Sequence, residues 1–230
     1  MVLDKVRIRF RKGGTLRLVS HHDLMRCFER MLRRAALPVH FTEGFNPKPR
    51  LIFALSLALG IVGNDEAVDL ELDDQLPEAE IHQRLSRQCP PGLDILSVHR
   101  VSPKITAQAH RVCYRIALSS PPRRQEVQKR IESLLADPHC WVERTRPRAR
   151  RLDLRPYIRN LTLPPEFLEM DLCVTPSGTA RPDEILHLLG LDDLRQAGAV
   201  LERTTLEILD ERPGLDGAPP FTQHILEGNS

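Results

Sequence analysis

Val6, Ile8 and Phe10 alternate with Arg7, Arg9 and Arg11 near the start of the chain. A period of two puts the apolar set on one face of an extended segment and the arginines on the other. The segment predicts a half-buried strand with an arginine-rich outer face. Gly13-Gly14 breaks it, and the periodicity then changes. Leu24, Met25, Phe28, Met31, Leu32 and Ala35 follow helical spacing and make one apolar face. Ser20 stands at the N-cap, with Asp23 three residues on as a short-armed capping box. Pro38 ends the helix.

The rest of the chain continues this alternation of elements. Residues 51–59 are nearly continuous in apolar character and predict a central strand. Residues 67–72 alternate apolar with acidic side chains and predict a more exposed strand, with Gly63-Asn64-Asp65 as the turn between the two. Pro77 opens a second helix over 78–88, Pro90-Pro91-Gly92 closes it, and 93–101 predicts a further strand. Strand, helix, strand, strand, helix, strand is the ferredoxin-like split-βαβ order. It then repeats: a strand over 112–118, a helix from Pro121-Pro122 to 136, strands over 140–144, 151–154 and 167–174, a helix over 182–189 and a last strand over 200–209. The expected fold class is α+β: two tandem ferredoxin-like (βαββαβ) domains with antiparallel sheets, at 1–103 and 108–210. The second half holds more strand than the simplest pattern needs. Residues 211–230, rich in Gly and Pro, are expected to form a disordered tail.

A chain of 230 residues allows one large domain or two small ones. The net charge of +2 says little, but its distribution is polarised. Residues 1–60 are basic. An acidic run follows at Asp65, Glu66, Asp69, Glu71, Asp73, Asp74, Glu78 and Glu80, and then a second basic block at Arg144, Arg146, Arg148, Arg150, Arg151, Arg155 and Arg159. Aromatic residues make up only 4%, so a stacking platform for bases would be thin. The five cysteines are scattered, without CxxC or zinc-ribbon spacing, which fits buried thiols in a reducing cytosol. MVLDKVRIRF lacks a signal-peptide apolar region, and the longest apolar run, 51–62, is interrupted and too short for a bilayer. These features lead us to expect a soluble cytoplasmic protein. The sequence carries no P-loop, Rossmann glycine fingerprint, nucleophile elbow or zinc-protease helix.

Four stretches can carry chemistry. Arg26, Arg30, Arg33 and Arg34 share one side of the first helix, with Glu29 as a local acid. Like charges so placed repel by a few tenths of a kcal/mol per pair. A phosphate backbone would relieve that and release counterions; a solvated face or pairing with the acidic strand are the competing readings. His21 and His22 fall in the first helical turn, where free N–H groups favour an anion and lower an imidazole pKa. They can serve as phosphate contacts or as a base, or one can pack while the other is solvated, and adjacent histidines do not make a metal site because neighbours diverge by about 100°. The loop Glu43-Gly44-Phe45-Asn46-Pro47-Lys48-Pro49-Arg50 is stiffened by two prolines. Phe45 could stack on a base, with Asn46 beside it and Lys48 and Arg50 at phosphates, or Phe45 could be pinned into the core. In the second basic block Arg155, Tyr157 and Arg159 alternate, facing one side if extended, as a single-strand contact or a solvated hairpin.

The stretch FRKGGTLRLVSHHDLMRCFERMLRRAALPVHFTEGFNPKPRLIFALSLALGI resembles the opening of the radical SAM-linked family, a domain of unknown function. The likeness continues through LDLRPYI, RPDEIL and ERTTLEIL, covering most of residues 1–210. Members occur beside or fused to cobalamin-binding-type radical SAM proteins. The resemblance therefore implies a partner, a radical SAM enzyme, more firmly than a reaction, and it supplies no catalytic residues to carry over. The same opening is similar, more distantly, to CRISPR repeat-processing endoribonucleases, which use tandem ferredoxin-like domains and a histidine near the first helix. His21 or His22 would match it. The glycine-rich loop of that group has only TPSGTARP as a counterpart.

The leading expectation is a non-enzymatic accessory protein that binds RNA, tRNA or rRNA among the candidates, and brings it to a radical SAM enzyme for modification. The iron–sulfur cluster and S-adenosylmethionine would belong to that partner, since this chain has no cysteine triad for a cluster and no cofactor or metal of its own is expected. The alternatives are a metal-independent endoribonuclease with His21 or His22 as general base, and a pure protein adaptor.

Overall fold

The computed structural model describes residues 4–145 and 149–211. The alternating segment is the first strand, β1 (Asp4–Lys12). It lies between β3 (Ile61–Leu72) and β4 (Leu93–Arg100), antiparallel to both. A short strand, β2 (Leu51–Phe53), pairs with the far edge of β3. The strand order in this half is β4-β1-β3-β2, with α1 (His21–Arg34) after β1 and α2 (Glu78–Ser86) after β3.

The second half repeats the order. It comprises β5 (Ala109–Ala117), α3 (Pro121–Ala136), a separate hairpin of β6 (Trp141–Arg144) and β7 (Arg150–Asp153), then β8 (Ile158–Thr162) and β9 (Phe167–Thr175). After these come the two-residue β10 (Gly178–Thr179), the short helices α4 (Pro182–Leu188) and α5 (Asp193–Gln196), and β11 (Leu201–Ile208). Its strands lie in the order β11-β5-β9-β8, with β10 also on β9. The two halves share one mostly antiparallel sheet of nine strands, joined where Leu201–Arg203 of β11 runs parallel to Ile61–Gly63 of β3. This is a mixed α+β protein whose halves are continuous through the sheet.

Two apolar clusters flank that joint. Val6, Ile8 and Phe10 of β1 pack with Leu24, Phe28 and Leu32 of α1 and Ile81 and Leu85 of α2. Phe10, Phe28 and Phe53 meet edge to face, with centroids 5.0 to 6.0 Å apart, a geometry that adds about 0.5–1.5 kcal/mol per pair beyond area burial. The other cluster gathers β5, β9 and β11 with α3 and α4, and takes Leu57, Ile61 and Ala67 from the first half.

Four expectations are corrected. The arginine side of β1 is not an outer face: Arg7 and Arg9 are buried, and only Arg11 is exposed. Burial became affordable because carboxylates from distant segments meet them, as described below. The predicted central strand over 51–59 is a strand only at Leu51–Phe53. Beyond it the chain leaves the sheet and its carbonyls at Leu55 and Ser56 accept hydrogen bonds from Arg203, while Leu57 plugs the second cluster. Its apolar run reflects that plug and not ladder pairing. The predicted turn at Gly63-Asn64-Asp65 lies inside one continuous strand, β3. Gly63 is there for space: a Cβ at this position would lie 2.5 Å from the Glu66 side chain. Residues 67–72 are buried, so that strand is central and not exposed.

Among the described residues no helix is long and apolar enough to cross a membrane. The expected tail at 211–230 lies, apart from Glu211, outside the described residues.

Candidate nucleic-acid interface

Helix α1 begins as its sequence requires. Ser20 Oγ accepts from the Asp23 backbone N–H at 3.2 Å and donates to Asp23 Oδ2 at 2.7 Å. Leu24, Cys27, Phe28, Met31 and Leu32 are buried against the sheet, which turns Arg26, Arg30, Arg33 and Arg34 to solvent. Arg26 reaches Asp23 at 3.4 Å. Arg30, Arg33 and Arg34 have no carboxylate partner among the described residues. The acidic strand does not neutralise them, because its side chains are taken up elsewhere: Glu66 by Arg203, Asp69 by Arg7, and Glu71 by Lys5 and Arg50.

The arginines occupy two flanks. Arg30 and Arg34 border a cleft shared with Arg87, just past α2. Arg33 borders a groove of about 180 Å³ with Phe41 and Pro49, the base of the proline-stiffened loop. The helix and the loop are therefore neighbours. Thr42 closes the loop, its N–H donating to the Lys48 carbonyl at 2.9 Å and its hydroxyl accepting from the Lys48 N–H at 3.1 Å. Phe41 and Pro49 bridge just outside that closure. Gly44, at φ +121°, makes the bend, and Phe45 stands at the tip, fully exposed, with Asn46 and Lys48 exposed beside it. Of the two readings of Phe45, the structure takes the exposed one. Arg50 is tied to Glu71 at 3.2 Å with half its side chain exposed.

The two histidines have different surroundings. His22 is exposed. His21 lies edge-on to Phe53 at 5.0 Å, and its Nδ1 is buried without a hydrogen-bond partner. Burial pushes its pKa below the ordinary imidazole value, and His22, Lys12 and Arg203 push it further, against Glu66. Lys12, buried completely, donates to the Val19 carbonyl at 2.7 Å and is shifted down by the same desolvation. Among the described residues no group of three His, Cys, Asp or Glu side chains could hold a metal ion.

The second basic block does not form the expected extended stacking face. Residues 155–157 make a 3-10 turn, not a strand. Tyr157 is buried, its hydroxyl 3.2 Å from Ser177 Oγ, because its ring fills the second core. Arg155 is spent on the carbonyls of Ile158 at 2.9 Å and Leu135 at 3.2 Å. Arg144 is buried on Glu184 at 2.6 Å. Arg159, on β8, keeps half its side chain exposed and lies 3.5 Å from Asp171. Arg146 and Arg148 lie outside the described residues. The block is also remote from α1 in the sheet, since β5, β11 and β3 lie between β9 and β1.

Two groups were not singled out from the sequence. Arg87 lies at the end of the second predicted helix, as the C-cap of α2, and carries no motif; only packing brings it to α1. Trp141, half-exposed on β6, stacks with His139 at 5.6 Å and carries the Arg151 guanidinium 4.5 Å above its ring. The chain's lone tryptophan was the signal that could have marked this hairpin.

Comparison with known proteins adds a family. A family model described as an uncharacterized protein conserved in bacteria (DUF2344) matches residues 5–182. No curated protein matches. Among solved structures, an unknown protein from Galdieria sulphuraria is 13% identical at a TM-score of 0.27, covering 90% of this chain and 99% of its own. The acetolactate synthase small subunit from Thermotoga maritima is 10% identical at a TM-score of 0.26, covering 91% of this chain and 97% of its own.

Proposed function

The chain belongs to the uncharacterized bacterial family DUF2344, and for it we propose an RNA-binding accessory role on a scaffold of two ferredoxin-like units. One observation carries the reading: three guanidiniums on α1 have no carboxylate partner among the described residues, and one of them, Arg33, shares a groove with the base of a closed loop that holds an aromatic ring in water. Unpaired arginine supplies the phosphate contacts, and an exposed phenylalanine supplies a stacking surface for an unpaired base. Arg26, Arg30, Arg33, Arg34, Phe45, Asn46, Lys48 and Arg50 make the surface, with Arg159 as an outlying contact. Tyr157 and Arg155 are left out because their polar atoms and surfaces are engaged internally. By the family resemblance of the sequence, the RNA is handed to a radical SAM enzyme in the cytoplasm, whose iron–sulfur cluster and S-adenosylmethionine do the chemistry.

Binding to total RNA across a salt series tests this. Wild type should bind at low salt and weaken as salt rises, by about 0.7 in log K per log salt for each single-strand phosphate contact. Arg30→Glu/Arg33→Glu should bind far more weakly, with a shallower slope. Negligible binding at low salt, the same in both proteins, ends the proposal. Cleavage of labelled RNA without metal, lost in His21→Ala and His22→Ala, would replace it with the endoribonuclease reading. Co-purification of the enzyme partner that survives nuclease and high salt would replace RNA bridging with a protein adaptor.

A further inference from the structure

The cleft between α1 and the segment after α2 has a volume of about 430 Å³. That lies in the range of small-ligand sites, roughly 300–1,000 Å³. Its rim carries Arg30 and Arg34 from α1 and Arg87 from the end of α2, together with the Gln88 amide. Arg87 is exposed and, like Arg30 and Arg34, has no carboxylate partner among the described residues. Arg84, one turn earlier, is paired with Glu80 and donates to the Ala36 carbonyl at 3.2 Å, which holds the end of α2 against the end of α1.

Charge accounting defines what such a cleft takes. Two helix C-termini meet here, each contributing about half a negative charge. Three guanidiniums outweigh them and leave roughly two positive charges unmatched. The two thiols in the cleft do not reduce this excess. Burial raises the Cys27 pKa, against the pull of Arg30 and Arg34, and pushes Cys89 up to about 11, so both are neutral thiols at pH 7. A doubly charged anion with several acceptor oxygens matches this arrangement, and a phosphate monoester has that charge above its second pKa near 6. Planar guanidiniums and one amide satisfy its three terminal oxygens by charge-assisted hydrogen bonds. A phosphodiester within a chain carries one charge and must enter and leave. A concave cleft suits a chain end.

We propose that the cleft bounded by Arg30, Arg34, Arg87 and Gln88 is a seat for a phosphate monoester, either the 5′-phosphate of an RNA end or that of a free nucleotide. The RNA arm rests on the proposed RNA-binding role; the nucleotide arm does not.

The test compares one single-stranded RNA sequence carrying either a 5′-phosphate or a 5′-hydroxyl, read by fluorescence anisotropy, and adenosine monophosphate by calorimetry, on wild type and Arg87→Gln. A thermal melt of Arg87→Gln checks folding, and Arg87→Lys tests charge alone. Wild type should prefer the phosphorylated end by about tenfold or more, the value of one or two charge-assisted hydrogen bonds. Arg87→Gln should abolish the preference while holding the 5′-hydroxyl affinity within about twofold. Equal affinity for both ends in wild type, with RNA binding intact and no nucleotide bound, overturns the seat and leaves the RNA role standing. No RNA binding, with nucleotide bound by wild type and lost in Arg87→Gln, removes the RNA role and makes a free nucleotide the source. Neither ligand bound overturns both. Alkylation of Cys89 gives an independent readout: ligand should slow it in wild type and leave it unchanged in Arg87→Gln.

Discussion

Arginine does opposite work in two regions of this molecule. At the sheet joint Arg7 and Arg203 are 2% and 1% exposed, and each donor is spoken for. Arg203 Nε meets Glu66 Oε1 at 2.7 Å, and its other nitrogens reach Glu66 Oε2, Tyr114 Oη and the carbonyls of Leu55 and Ser56. Arg7 grips Asp69 at 2.7 Å and Asp210 at 2.9 Å. Burial opposes these charges, yet Glu66 and Asp69 hold both pKa values above the ordinary guanidinium range. On α1, Arg30, Arg33 and Arg34 are in water with no carboxylate partner among the described residues. A basic composition therefore says nothing by itself; what marks a surface for an anion is the set of cations the fold declines to neutralise.

The sharpest way to break the comparison is to remove an acid from the joint. Glu66→Gln leaves Arg203 charged and buried without its partner, and should cost about 3–5 kcal/mol, lowering Tm by roughly 10 °C in a chain of this size. Replacing both members with methionine should cost less than the single change, because no orphan charge remains; urea unfolding of the two variants decides. A smaller effect is expected at the solvent side. Phe45→Ala should weaken single-stranded RNA binding by about 1–3 kcal/mol with an unchanged melting curve. Lost stability without lost affinity would mean that the ring packs rather than stacks. Smaller again, Arg33→Gln/Arg34→Gln should leave stability within about 0.5 kcal/mol of wild type. A loss like that of Glu66→Gln would erase the distinction between the two regions.

The smallest expected effect is a pH slope. His21 has a lowered pKa when folded, so the unfolded chain takes up its proton first. Above pH about 6.5 both states are neutral there and nothing changes. As pH falls below that value toward the folded pKa, stability should fall, then level off. His21→Phe should flatten this part of a stability–pH curve.

Legibility followed the same division. Local chemistry gave α1 its cap and end, placed α3 and α4 within a residue or two, and put the helix arginines at the surface. It failed where long-range pairing overrode local pattern. Nothing near Arg7 in sequence announces Asp69 or Asp210, so an alternating strand read as half exposed. Gly63 looked like a turn because the Glu66 side chain that needs its space becomes visible only when β3 is seen to run on, through an irregular register, past residues 63–66. The site was half legible for the same reason: Arg30 and Arg34 stand in one helix, whereas Arg87 reaches them across more than fifty residues of chain.

The clasp on β1 also sets the order in which this molecule can be completed. Arg7 and Arg9 depend on Asp210 and Glu211, some two hundred residues later. Contacts of such separation are closed late and slow folding. During synthesis the first half can gather its helices and apolar cluster and pair Arg7 with Asp69 and Arg9 with Asp65, but the further acids of these two guanidiniums arrive only with the last described turn. The N-terminal half is thus finished by the C-terminal one, and a chain released before residue 210 carries an unfinished first strand.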